Sequence, residues 1–226
     1  VTKKVLILAE GPTEEAFIKH VLAAALPGLW LVPTVVKTKV TGPRPMQGGS
    51  VGYNEFKRQV NLLLNDSSAS LVTTMLDFQG LSSDFPGRAQ PVGAVPRARV
   101  ASVQAAMKAD VQDTRYLPFL ALHEFEALLF AKPDEIAAVL RKPALAKTLD
   151  AVRGRYSTPE EINDSPATSP SARIERACLD LFGSGRVFQK RTHGPIIADR
   201  IGLAKIRLEC PHFNEWIERL EVFAAA

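Results

Sequence analysis

The sequence predicts an α/β domain, a mostly parallel sheet flanked by helices with a helical C-terminal elaboration. Short apolar runs without polar alternation, VLILA (5–9) and LVTTML (71–76), read as strands covered on both faces. Between them lie segments whose apolar residues recur at helical spacing, and strands alternating with helices imply parallel pairing. Past about residue 131 the apolar runs give way to short helices. The 226 residues therefore read as one domain, with an α/β core over 1–130 and a helical elaboration over 131–226.

The first strand spans Lys3 to Ala9. Gly11 and Pro12 supply a turn and a first helical position. Phe17, Ile18, Val21, Leu22 and Ala25 then carry a helix to about Leu26, where Pro27-Gly28 stops it. Leu29 to Val40, rich in valine and threonine, is a second strand, and Pro33 places it near an edge. A loop over 41–53 precedes an amphipathic helix from Asn54 to Leu64, and Asn65 to Ser68 form a turn. Leu71 to Leu76 is the third strand. The stretch LSSDFPGRAQPVGAVPRAR (81–99) is longer than connections usually are and reads as a lid, a binding loop or disorder. A helix from Arg99 to Ala109 leads to a fourth apolar run, Tyr116 to Leu122. Short helices follow around 133–150, then a polar loop over 161–171 and helices near 172–182, 195–208 and 211–223.

Composition narrows the function classes. With 46% hydrophobic and 23% charged residues and a mean hydropathy of +0.00, the chain is of ordinary globular type. No apolar stretch approaches the ~20 residues needed to span a bilayer. The basic start, Val1 to Lys4, runs straight into a strand without an apolar leader. Cys178 and Cys210 lie far apart, so a reduced, cytoplasmic setting is expected. A net charge of +4 and a pI near 9.1 permit a polyanionic partner without demanding one. There is no Gly-x-Ser-x-Gly, no His-Glu-x-x-His, and no Gly-x-Gly-x-x-Gly after the first strand.

The chemistry lies in acids that end strands. Glu10, Asp77 and the pair Glu124/Glu126 each follow an apolar run immediately. In parallel sheets ligands bind beyond the carboxyl ends of the strands. If strands one, three and four are neighbours, these carboxylates converge, and clustered carboxylates repel unless something positive sits among them. Mg²⁺ or Mn²⁺ is the natural occupant, being a hard cation that prefers oxygen. Glu14 and Glu15 lie in a helix's first turn, where the macrodipole alone favours negative charge; Glu14 is kept as a metal ligand. A helix would send only one of Glu124 and Glu126 toward the strand ends, and the sequence does not choose between them.

Phosphate chemistry also needs cations. Lys190 is placed on the scissile phosphate, with Arg88, Arg97 and Arg99 of the long loop as further candidates. His193 either contacts substrate or satisfies a turn before a Gly-Pro helix start. His123 ligates metal, orients Glu10 or is a core histidine. Backbone N–H groups of Gln47 to Gly52 could face phosphate, and Asn163 to Pro166 with Ser171 to Arg173 read as turn and helix-cap chemistry in a polar loop that could also border the site.

The run Glu10-Gly11-Pro12-Thr13-Glu14 after a hydrophobic strand, with a later strand ending on Asp77, resembles the Toprim fold of topoisomerases, primases and, most closely, OLD-type nucleases. That resemblance implies Glu10 as general acid or base and Asp77 as a metal ligand. Where the family carries Asp-x-Asp, this chain has Gln79, and the resemblance implies Glu124 or Glu126 in its stead. TTMLDFQGL (73–81), LHEFEALLF (122–130), EINDSPATSPSARI (161–174) and HGPIIADRIGL (193–203) resemble a bacterial family, domain of unknown function 4276. The expectation is a Mg²⁺- or Mn²⁺-dependent phosphodiesterase on nucleic acid, with phage defence beside an ATPase partner as its setting. Glu10 and Lys190 are its candidate catalytic residues and Asp77, Glu124, Glu126 and Glu14 its candidate metal ligands. Gly11, Gln79, His123, Arg88 and His193 are its candidate substrate contacts. The rivals are a non-catalytic binding module and a small-nucleotide sensor or hydrolase.

Overall fold

The computed structural model describes residues 2–38, 46–47, 51–88, 96–163 and 166–226. Strand β1 (Lys3–Ala9) lies inside a parallel sheet because both its faces are apolar. Val5, Ile7 and Ala9 enter one hydrophobic cluster and Leu6 and Leu8 the other. After Gly11, α1 (Pro12–Phe17) widens into a π-helical turn (Ile18–Leu22) and closes with α2 (Ala23–Ala25). β2 (Leu29–Val35) pairs with β1 in parallel at the sheet's edge, where Pro33 is tolerated.

The second strand is shorter than its composition suggests. Beyond Val36, both backbone groups of Lys37 bond the Gln59 side-chain amide, at 2.9 and 2.7 Å, and β3 (Lys37–Thr38) pairs antiparallel with β4 (Met46–Gln47). Residues 39–45 and 48–50, which include the end of the predicted strand and half of the stretch from Gln47 to Gly52, lie outside the described residues.

Helix α3 (Tyr53–Leu64) and β5 (Leu71–Asp77) follow, β5 pairing with β1 in parallel from Val5↔Leu71 to Ala9↔Met75. A 3-10 turn (Phe78–Gly80) leads toward the long loop, of which 89–95 fall outside the described residues, and then to α4 (Pro96–Val111). α3 and α4 cover one face of the sheet.

The fourth apolar run is two strands, not one. β6 (Tyr116–Leu117) pairs with Val72 and Thr73, and β7 (Leu120–Ala121) pairs with Leu76 and Asp77. Pro118, which has no N–H to donate, interrupts the ladder. Buried Thr74 fills the gap: its hydroxyl donates to the Phe119 carbonyl at 2.7 Å and accepts the Phe119 N–H at 2.8 Å. The sheet order is thus β2-β1-β5-β6, with β7 also on β5, and every pairing is parallel.

A buried 3-10 segment (Phe125–Ala131) opens the elaboration, followed by α5 (Pro133–Val139), α6 (Ala144–Arg153) and a 3-10 turn (Pro159–Glu161). α7 (Pro170–Phe182), α8 (Lys190–Ile201), α9 (Leu203–Glu209) and α10 (Pro211–Ala225) complete the chain. These helices pack on the second face of the sheet: Ile174, Ile197, Phe213 and Ile217 share one cluster with Val5 and Ile7. Trp216 stacks on Phe119 at 4.5 Å and donates its indole N–H to Thr73. Helix α8 begins at Lys190, five residues before the predicted start, and Pro195 sits inside it. Among the described residues no helix is long and apolar enough to cross a membrane.

Candidate functional site at the carboxyl edge of the sheet

Strand order decides which acids meet. β1, β5 and β7 are adjacent and parallel, so the residues just past their ends share one rim. The β1–β5 ladder ends with the Glu10 N–H donating to the Met75 carbonyl, at 2.9 Å. Glu10 then turns its own carboxylate inward and accepts the Asp77 N–H at 2.6 Å. Gly80 makes room for this, since a Cβ there would lie 3.0 Å from Glu10 Oε1. Asp77 in turn accepts the Phe125 N–H at 3.1 Å and ties β5 to the elaboration.

Both glutamates of the 124/126 pair face the site. Glu124 is extended (φ −146°, ψ 161°), and the chain after it is 3-10 rather than α, so the helical reading that sent one of them away is corrected. Lys190 Nζ lies 3.4 Å from Glu124 and 3.5 Å from Glu126. The Ser171 N–H, in the first turn of α7, also donates to Glu124. Lys190 reaches this position because α8 packs closely at Gly194, where a Cβ would come within 3.1 Å of Thr13 and 3.2 Å of Phe125.

Glu14 is buried and its carboxyl folds back over Gly11, where a Cβ would lie 3.2 Å from its Oε2. Glu15, by contrast, is a surface partner of Lys19 at 2.6 Å. Gln79 Nε2 and His123 Nδ1 are 3.5 Å apart beside the cluster. His193 accepts the Gln189 N–H on Nδ1 at 3.0 Å, which closes the start of α8. Arg88 lies over the ring of Phe78, the residue after Asp77. Asp164 and Ser165, in the polar loop, lie outside the described residues.

The electrostatics record the crowding. Burial, then the charges of Glu10, Glu14, Glu126 and Glu124, push Asp77 well above the usual carboxylate range. Glu10 is raised chiefly by burial, against the Asp77 N–H that favours its ionised form. Burial lifts Glu14 to about 7, with the Glu10 charge adding to it, and lifts Glu126 to about 7 against the pull of Lys190. Burial alone would lower Lys190, but Glu126 and Glu124 outweigh it and hold the ammonium charged. Five carboxyl groups thus gather around one cation.

Oxygen donors of this kind suit Mg²⁺ or Mn²⁺. Their present hydrogen bonds turn them instead toward backbone N–H groups and Lys190. No three His, Cys, Asp or Glu side chains among the described residues are arranged to hold a metal ion as they stand.

The sequence from residue 9 to residue 221 matches the family described as Domain of unknown function (DUF4276). The chain belongs to this family. No curated protein gives a significant match. Among solved structures this DUF4276 chain is similar to the C-terminal region of the Xanthomonas campestris pv. campestris OLD protein, at 19% identity, with 96% of each chain covered and a TM-score of 0.35.

Gly80 and Gly194 carry no signal of the site in the sequence, whereas Ser171 reads as helix-cap chemistry at the end of a polar loop that could border it, and it does reach Glu124.

Proposed function

We propose that this DUF4276 chain is a divalent-metal-dependent phosphodiesterase acting on nucleic acid through a Toprim-like carboxylate rim. One observation carries the reading: Glu10, Asp77, Glu124 and Glu126 come from three adjacent strand ends and converge, with Glu14, on Lys190. A fold gains nothing in stability from gathering like charges in a buried place, so their convergence points to a ligand that is positive or carries protons.

Asp77, Glu124 and Glu126 would hold Mg²⁺ or Mn²⁺, which supplies charge neutralisation and a more acidic bound water. The chain's own groups divide the remaining work. Lys190 faces the phosphate and offsets its charge, as phosphoryl chemistry requires. Glu10 keeps the end of β5 in place through the Asp77 N–H and stands ready to take or return a proton. Glu14 and Glu126, at about 7 without metal, would give up their protons near neutral pH as the metal binds. Ser171 and Phe125, through their N–H groups, fix Glu124 and Asp77.

Calorimetric Mn²⁺ titration of the wild type beside Asp77→Ala tests the metal. A saturable heat in the wild type, lost in the variant, is expected; no heat in either removes the reading. Because the carboxyls are turned toward N–H groups and Gln79 replaces an acid, a metal-independent binding module is the second reading. It predicts a nucleic-acid mobility shift that chelator leaves intact and that salt weakens steeply.

A further inference from the structure

On the far side of Asp77 the rim changes sign. Phe78 is buried, and two guanidiniums lie over its ring, Arg88 at 4.4 Å and Arg99 at 5.4 Å from the centroid. With Gln79, Pro96 and His123 they line a cavity of about 280 Å³. Arg88 Nη1 is buried and has no hydrogen-bond partner among the described residues. Nor does either guanidinium form an ion pair among them; burial and then the Arg99 charge pull Arg88 below its ordinary value, and no acid opposes them. Two cations held together over an apolar floor lack an anion.

The geometry points to a phosphate subsite that takes the terminal phosphate of a nucleic-acid strand and holds that strand end against the carboxylate rim. Guanidinium forks match phosphate oxygens in pairs. Two of them balance a dianionic terminal monoester better than a singly charged internal diester. Pro96 opens α4, a 16-residue helix, so the positive end of its dipole adjoins the same cavity. The cavity and the rim share a wall, because Phe78 and Gln79 follow Asp77 and His123 precedes Glu124. The nature of the strand rests on the phosphodiesterase reading, whereas the anion site rests on the arginines alone.

The test is binding of short labelled oligonucleotides of one sequence, ending in a 5′-phosphate, a 3′-phosphate or only hydroxyls, measured by anisotropy in excess chelator at fixed salt. One phosphorylated end should bind about tenfold tighter than the hydroxyl-ended strand. That preference should vanish in Arg88→Gln and in Arg99→Gln, with folding checked by circular dichroism, and persist in Asp77→Asn. Equal binding of all three ends by the wild type overturns the inference, as does a preference that survives both arginine substitutions. Inorganic phosphate raising the melting temperature with no strand-end preference overturns the assignment to a strand. An end preference without metal-dependent cleavage supports the subsite while removing the enzyme; cleavage without end preference does the reverse.

Discussion

Among the described residues, two places bury carboxyl groups, and they do so in opposite ways. Glu160 is 3% exposed, and each of its oxygens accepts one backbone N–H at the start of α10, from His212 and Phe213, both at 2.9 Å. Burial raises it to about 7 against those two bonds. Glu14 and Glu126 reach the same value at the rim, but there the acids meet one another and a single lysine. The same displaced acidity thus has two meanings. At Glu160 burial displaces it against a satisfied helix cap, in which neutral donors and the helix dipole receive the group. At the rim burial again leads, and the charges of neighbouring acids add to it against the pull of Lys190. What distinguishes a candidate site from a structural acid is the identity of the neighbours rather than the size of the shift.

The sharpest way to break this comparison is to neutralise one acid of each kind and assay cleavage. Asp77→Asn and Glu10→Gln should each lower metal-dependent hydrolysis by about 10²- to 10⁴-fold while the protein stays folded. Glu160→Gln should leave the rate per folded molecule unchanged. Equal losses at both places would erase the distinction.

Stability should show the mirror image. Glu160→Ala leaves two buried N–H groups without an acceptor and should lower unfolding free energy by about 2–4 kcal/mol in urea titration. Glu126→Gln, which removes a charge that burial disfavours, should stabilise the metal-free protein by about 1 kcal/mol at pH 8.

The pH dependence refines the contrast further. Glu14, Glu126 and Glu160 are raised in the folded state from 4.5 to about 7, so the folded protein holds protons that the unfolded chain has released over that interval. Their contribution is fully present below pH 4.5 and is lost as pH rises through 7. Metal-free stability should therefore fall between pH 5 and 8, by about 2 kcal/mol or more. Saturating Mn²⁺ should remove the share due to Glu14 and Glu126, because it takes the ionised forms, and leave the Glu160 share in place. A slope that Mn²⁺ does not alter would separate the rim from any metal.

The smallest effect should come from Gly80→Ala. A methyl group 3.0 Å from Glu10 Oε1 displaces that carboxyl, and Mn²⁺ affinity should drop about tenfold with little change in melting temperature.

Much of this was legible in the chain. β1 and β5 announced themselves as double-sided apolar runs, and Pro33 marked the edge strand correctly. Glu10 and Asp77 were visible as rim residues because a carboxylate directly after a buried strand has few other uses. The split of the fourth strand was harder: Pro118 was in plain view, but only the register against Thr73 and Thr74 shows that pairing resumes beyond it. Glu124 and Glu126 looked incompatible because an α-helix separates residues two apart, whereas an extended residue before a 3-10 turn brings both to Lys190. The start of α8 is hidden in the sequence because Gly194-Pro195 reads as a helix opening, although the helix already runs from Lys190.

By itself the sequence determined the layers and the acids, because hydrophobic period and strand ends are local properties of the chain. Only the tertiary structure decided that Lys190 and Ser171 from the elaboration complete the rim, and that Arg88 and Arg99 share one phenyl ring. Those meetings depend on helix packing at places such as Gly194, where contact is made between residues far apart in the chain and no local pattern encodes the partner.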